Sequence, residues 1–121
     1  MIRKDMKKIL IVDNEESILE ALGFILNEAG YKVETRLEIG VSKVKKKLPD
    51  LILLDMRLSG KNGGEIAKKL KSDTETKNIP VILISASPIN AKLVRKYGAD
   101  DYIQKPFDID FLLKKVEKYI R

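Results

Sequence analysis

Three runs of four aliphatic residues each stop on a polar side chain: Ile9-Leu10-Ile11-Val12 on Asp13, Leu51-Ile52-Leu53-Leu54 on Asp55, and Val81-Ile82-Leu83-Ile84 on Ser85. Short runs that are apolar at every position, bounded by turn formers, are the pattern of strands buried on both faces of a parallel sheet. Such a sheet must be covered by helices on both sides, and its ligands lie in the crevice beyond the carboxyl ends of the strands. The chain therefore aims two carboxylates and a hydroxyl at one edge.

Helical patterns fill the intervals. Ser17-Ile18-Leu19-Glu20 has capping-box spacing, and Ile18, Leu22, Ile25, Leu26 and Ala29 form a stripe that stops at Gly30. Tyr31-Lys32-Val33-Glu34-Thr35 alternates apolar and polar residues, which predicts a half-exposed edge strand. Ile39, Val41, Val44 and Leu48 predict a short second helix ended by Pro49, and Ser59 to Gly64 is a loop rich in turn formers. A third helix carries Ile66, Ala67 and Leu70, a fourth carries Ala91, Leu93, Val94 and Tyr97 up to Gly98, and the last carries Ile109, Leu112, Leu113, Val116 and Ile120. Asp101-Tyr102-Ile103-Gln104 is a second mixed strand, suited to the other edge. The pattern is a doubly wound (βα)5 α/β fold of the flavodoxin-like kind, a five-stranded parallel sheet in the order 2-1-3-4-5. That order reverses between the strands that Asp13 and Asp55 leave. We expect a single domain over residues 1–121, with 1–6 as a flexible N-terminal extension.

The 121-residue chain has no cysteine and no histidine, which removes disulfides, thiolate metal sites, the commonest general base and any phosphohistidine of its own. No apolar stretch approaches the roughly 18 residues of a membrane span, so we expect no membrane insertion and a cytoplasmic location. The net charge of +6 raises the question of nucleic acid, but aromatic residues make up only 6% and none is interleaved with the lysines as a stacking platform. A solvated lysine-rich surface, without direct nucleic-acid binding, is the expectation.

Clustered carboxylates repel one another and call for a cation. Hard oxygen donors without His or Cys suit Mg²⁺ (or Mn²⁺), and Asp13, Asn14, Glu15 and Asp55 can supply such oxygens or hold coordinated waters. Lys105, before Pro106, is placed to extend its ammonium into the same crevice. A divalent cation, an ammonium and the Ser85 hydroxyl around one carboxylate make a site for a phosphoryl group, with Asp55 able to attack phosphorus in line. Taken singly, each residue has a plainer explanation: an Asp at a strand end caps the next helix, Lys105 is a surface lysine, Ser85 a turn residue and Tyr102 edge-strand packing. Four suitable side chains leaving the strands at the same end is what helix capping alone does not require.

Over essentially its whole length the chain resembles the receiver domain of two-component response regulators. The resemblance rests on Lys8 to Glu15, Pro49 to Asp55, Ile79 to Ile82 with Ser85-Ala86, and Gly98 to Tyr102 with Lys105-Pro106-Phe107. Gly63 also stands where the family usually has glycine after the phosphoacceptor loop. The resemblance implies that Asp55 accepts phosphate from a sensor histidine kinase or a histidine phosphotransfer protein. It implies that Asp13, Asp55 and the backbone carbonyl of Arg57 bind the metal, and that Ser85 and Lys105 contact the phosphoryl group. Movement of Ser85 would be coupled to Tyr102 rotating inward, and the altered surface around the fourth helix, fifth strand and fifth helix would meet a downstream protein target. Such a module assists its own phosphorylation and dephosphorylation and is not a turnover enzyme. We expect it to act alone, by presenting a surface to another protein or as a phosphate relay.

The chain departs from the family pattern in several places. Asn14 replaces the second acid after the first strand, commonly the direct metal ligand, and should weaken Mg²⁺ binding unless Glu15 compensates. Ser59 replaces a common proline, while Arg57 and Ser87 flank the site where side chains shield the phosphoryl group or admit water. The interval from Ser85 to Lys105 is slightly short, which predicts an abbreviated fourth helix. One alternative is a receiver-like binding module in which Asn14 has made phosphorylation weak or absent. A hydrolase or flavin carrier on a related fold is another. A D-x-D phosphatase is disfavoured by Arg57, and a flavin carrier by Asp13-Asn14-Glu15 where a phosphate-binding loop would stand.

Overall fold

The computed structural model describes residues 6–120. In chain order the elements are β1 (Lys8–Val12), α1 (Glu16–Glu28), β2 (Lys32–Arg36), α2 (Val41–Lys47), β3 (Leu51–Asp55), β4 (Arg57–Leu58), β5 (Lys61–Asn62), α3 (Gly63–Ser72), β6 (Val81–Ser85), α4 (Ala91–Tyr97), β7 (Asp101–Gln104) and α5 (Ile109–Tyr119). Five strands form one parallel sheet in the order β2-β1-β3-β6-β7, which is the predicted 2-1-3-4-5 by position. The extension expected at 1–6 lies outside the described residues except for Met6, which is exposed.

Side chains alternate between the faces of a strand, so each all-apolar run feeds two cores. Leu10, Val12, Ile52, Leu54, Val81 and Leu83 pack on one face with Val44 of α2, Ile66, Ala67 and Leu70 of α3, and Val94 and Tyr97 of α4. Ile9, Ile11, Leu51, Leu53, Ile82, Ile84 and Ile103 pack on the other with Leu19, Leu22 and Leu26 of α1 and Leu112 and Val116 of α5. β1, β3 and β6 have apolar neighbours on both faces, whereas β2 and β7 lie at the edges, as their mixed composition predicts.

The helix boundaries show what local pattern alone misplaces. Ser17 does not cap α1: the helix is already under way at Glu16, and Glu15 is the N-cap. The cause is Asp13, whose Oδ1 accepts the Glu15 amide at 2.9 Å and turns the chain two residues earlier. Ala29 is exposed rather than part of the buried stripe, and Gly23 is buried instead, where an added Cβ would lie 3.7 Å from the Thr35 methyl. α2 ends as predicted, but Leu48 adopts a left-handed conformation (φ 43°) that swings it outward, leaving Pro49 buried in its place. Ile109 is likewise exposed, at the first turn of α5. The expected loop after β3 holds a small antiparallel hairpin, β4 with β5, and its last two glycines start α3.

Gly63 is there because of a close approach. Its amide donates to the Met56 carbonyl at 2.7 Å, and a Cβ at this position would overlap the Asp55 carbonyl. Gly63→Ala must therefore displace the backbone at the end of β3, and we expect it to cost on the order of 2 kcal/mol in urea unfolding. Gly40→Ser, at an N-cap with nothing within 4 Å of its Cβ position, should change stability by no more than a few tenths of a kcal/mol, in the favourable direction.

Candidate functional site

The register fixes where the strand ends arrive. Val12 pairs with Leu54, Asp55 with Ile84, and Ser85 with Gln104. Asp13 is thus level with Asp55, Ser85 lies one residue further on, and Lys105 one further still, a stagger that follows the sheet across four strands. Backbone hydrogen bonds continue beyond the strands and pin these corners: Asp13 N to the Arg36 carbonyl (3.1 Å), Met56 N to Ile84 (2.8 Å) and Lys105 N to Ser85 (2.7 Å). Alternation along the strands puts Asp55 on the α1/α5 side of the sheet and Ser85 and Tyr102 on the α2/α3/α4 side.

Asp13 and Asp55 are buried, at 0% and 4% exposure. Each commits one oxygen to the amide two residues ahead, Asp13 Oδ1 to Glu15 N at 2.9 Å and Asp55 Oδ1 to Arg57 N at 3.2 Å. The other oxygens face Lys105, whose Nζ lies 3.0 Å from Asp13 Oδ2, 3.7 Å from Asp55 Oδ2 and 3.7 Å from Glu15 Oε1. Burial above all pushes the Asp55 carboxyl above its usual range, and neighbouring Asp13 pushes it the same way; the Arg57 amide and Lys105 oppose them without prevailing. For Lys105 burial acts downward, but the hydrogen bond to Asp13 and the charges of Asp13, Asp55 and Glu15 outweigh it, and the ammonium is held above its ordinary value. One cation thus faces three carboxylates, leaving an excess of negative charge.

A cleft of about 530 Å³ opens over this cluster, lined by Asp55, Lys105, Asn14, Glu15, Arg57 and Ser85 among others. Asn14, Glu15 and Arg57 are exposed at its mouth. Ser85 lines the cleft, but its hydroxyl donates to the Ser87 carbonyl (2.8 Å) and accepts the Ser87 amide (3.1 Å). Tyr102 stands apart, half-buried on β7 against the α4 side, with Lys115 Nζ 3.0 Å from its carbonyl and 5.5 Å from its ring centroid. Two further residues shape the cleft that sequence reasoning passed over. Gln104 Oε1 accepts the Ile89 amide at 3.4 Å and ties the loop after Ser85 to β7. Asn62 caps α3 through its Oδ1 (2.7 Å to Gly64 N) and donates to the Tyr97 hydroxyl at 3.4 Å. For Asn62 a signal existed, since Asn followed three residues later by Glu65 is a helix-start pattern.

Among the described residues no three acidic side chains converge closely enough to chelate a metal by themselves. The donor set nevertheless fits Mg²⁺, which binds through one or two carboxylates and keeps several waters rather than occupying an all-protein cage. Asp13 and Asp55 are the carboxylates available, with the Asn14 amide, Glu15 and the backbone of Arg57 as further oxygens at the cleft.

A family model described as "Response regulator receiver domain" matches residues 9–117. The phosphate regulon transcriptional regulatory protein PhoB of Escherichia coli (strain K12) is 36% identical over 119 residues, covering 95% of this chain and 52% of PhoB. Response regulator ArlR of Staphylococcus aureus (strain Mu50) is 38% identical over 120 residues, covering 96% of this chain and 53% of ArlR. The chain thus spans about half the length of the curated relatives it matches. Among solved structures, a CheY-like response regulator receiver domain protein from Methanospirillum hungatei JF-1 superposes with a TM-score of 0.83 at 30% identity, over 93% of this chain and 92% of that one. Vibrio cholerae chemotaxis protein CheY4 superposes with a TM-score of 0.85 at 28% identity, over 95% and 99%. With its sheet order, its strand-end carboxylates and a family match over 9–117, the chain belongs to the receiver domain family of response regulators, the signalling modules of two-component systems.

Proposed function

We propose that this receiver domain is a phosphoacceptor switch in which Asp55 takes a phosphoryl group from the phosphohistidine of a sensor histidine kinase or histidine phosphotransfer protein. The observation that carries this reading is the setting of Asp55, a buried carboxylate lining an open cleft with one oxygen held by the Arg57 amide and the other facing Lys105. A carboxylate oxygen of Asp55 bonds to phosphorus as the P–N bond breaks, and the imidazole leaves with the electron pair. Lys105 offsets charge on the transferred oxygens and keeps Asp13 in place. The Ser85 hydroxyl exchanges the Ser87 carbonyl for a phosphoryl oxygen, which moves the loop leading to α4 on the face where Tyr102 packs. Asp13, Asp55 and the Arg57 carbonyl, with Asn14 and Glu15 nearby, would hold Mg²⁺ (or Mn²⁺), which would supply the positive charge that the carboxylates lack. The domain promotes its own phosphorylation and dephosphorylation, acts in the cytoplasm, and signals by offering α4, β7 and α5 to a downstream protein rather than by touching nucleic acid.

A second reading, a binding module with little or no phosphorylation, is favoured by Asn14, which brings no charge to the cation position. Intact-mass spectrometry after acetyl phosphate and Mg²⁺ separates the two. A switch gains one phosphoryl mass that Asp55→Asn lacks, whereas an unmodified wild-type protein would leave the binding module standing.

Asn14→Asp should tighten Mg²⁺ binding about tenfold by calorimetric titration, the size expected for one added charge a few ångströms from the ion. An unchanged affinity would mean that Glu15 or water already provides that charge. The raised Asp55 carboxyl fixes the sign of a stability effect. The native state holds this proton more tightly than the unfolded chain, so the cost of the ionised form is full above the raised value and vanishes below the ordinary 3.8. Asp55→Asn lacks that cost, and metal-free thermal unfolding should find it more stable than wild type by on the order of 1 kcal/mol at pH 7. The gap should close as pH falls towards 4; a constant gap would refute the electrostatic origin.

A further inference from the structure

Tyr97, the last residue of α4, is buried to 6% and does two things at once. Its ring lies against Gly64: a Cβ there would sit 2.5–2.7 Å from ring atoms of Tyr97, so any side chain would have to displace the ring. Its hydroxyl accepts from Asn62 Nδ2 at 3.4 Å, and the same Asn62 holds the Gly64 amide on its Oδ1 at 2.7 Å. Asn62 lines the cleft over Asp55. It is also tied to the end of β3, because Gly63 follows it directly, bonds to the Met56 carbonyl and packs on the Asp55 carbonyl. The end of β3, the start of α3 and the end of α4 therefore meet through two glycines and one phenol.

We propose that Tyr97 is a positioning residue that couples the cleft to the C-terminal end of α4, its ring seating α4 on α3 and its hydroxyl registering the position of Asn62. The inference rests on the reading of Asp55 as phosphoacceptor. The ring alone explains packing, since a buried apolar residue of that shape would fill the space over Gly64 equally well. The hydroxyl is the informative part, because it meets Asn62, which both caps α3 and lines the cleft. At 3.4 Å the contact lies beyond the usual range for a hydrogen bond, so a displacement of a few tenths of an ångström at Asn62 makes or breaks it. α4 is seven residues long and has its other end in the loop that follows Ser85. Tyr97 gives it a second tether to the site, at the opposite end from Ser85 and separate from Tyr102.

Tyr97→Phe keeps the ring and removes the hydroxyl, which makes it the test. Backbone and Asn side-chain amide NMR spectra are recorded for wild type and variant, with Mg²⁺ alone and with Mg²⁺ and beryllofluoride as a phosphoryl mimic. In wild type we expect beryllofluoride to shift Asp55–Arg57, the Asn62 side-chain amide and Arg95–Gly98. In Tyr97→Phe the shifts at Asp55–Arg57 should persist while those at Arg95–Gly98 fall about threefold or more, the loss of an ordinary coupling contact. A purely structural role would leave the response at Arg95–Gly98 intact. Full retention of that response in the variant, or its absence in a wild type that responds at Asp55–Arg57, overturns the role of Tyr97 alone. A wild type unresponsive even at Asp55–Arg57 overturns both this role and the phosphoacceptor reading.

Discussion

The ammonium of Lys105 is what allows two carboxylates to be buried side by side. Asp13 and Asp55 leave adjacent strands at the same level, and ionised carboxylates that close and that dry would otherwise repel strongly enough to force a proton onto one of them. Lys105 reaches across from β7 to hydrogen-bond one and face the other, and Glu15 closes the cluster from the solvent side. The neutralisation is incomplete, and that is its significance. Burial above all keeps the Asp55 carboxyl above its ordinary range, and separately the single ammonium faces three carboxylates, which leaves the site short of positive charge. A protein selected only for stability would replace such a cluster with apolar packing, which is commonly the more stable arrangement. Retaining it makes sense where a cation and a phosphoryl group are to complete the site, as the proposed function requires.

Much of this was legible from the chain because the information is one-dimensional. An all-apolar strand cannot sit at an edge or face water, so the three aliphatic runs occupy the middle of the sheet and the two mixed strands its margins. Once the strands are parallel, every residue following one arrives at the same edge, and Asp13, Asp55, Ser85 and Lys105 follow. What the chain did not reveal depends on contacts between distant residues or on a single backbone angle. Asp13 bonding to the Glu15 amide moved the start of α1 away from Ser17. A left-handed Leu48 turned outward a residue that helical spacing places inward. The hydroxyl of Ser85 engages the Ser87 carbonyl through a rotamer that the residue order does not specify. Glycines at 63 and 64 read as turn formers, whereas they serve as close approaches, one to the Asp55 carbonyl and one to the Tyr97 ring.

Those close approaches give the site a mechanical side. The backbone at the end of β3 has no slack: Gly63 abuts it, Met56 is bonded to Ile84, and the Arg57 amide is bonded to the Asp55 side chain. A phosphoryl group on Asp55, as proposed, would therefore not be accommodated by β3 alone. The displacement would appear in the softer parts that touch it, which are the hairpin of β4 and β5, exposed apart from Leu58, and the loop from Ser85 to Asn90. The stiff sheet decides where movement cannot go, and the two loops are where it remains possible.

Both segments reach α4, one at each end, although the hairpin itself runs on into α3. The loop after Ser85 delivers its first turn, where Asn90 caps the helix through the Leu93 amide, while the Asn62–Tyr97 contact holds its last. A helix of seven residues has little stability of its own and takes its position from what it packs against. Val94 and Tyr97 are its buried anchors, and Leu93 is half-buried beside the cleft. Beyond those anchors it is held by polar contacts at its two ends, one of them long at 3.4 Å, and allosteric couplings operate on a scale of about 1–3 kcal/mol. A longer helix with a deeper apolar face would resist a perturbation of that size. A helix of seven residues is suited to move under a perturbation of that modest size, as the proposed switch requires.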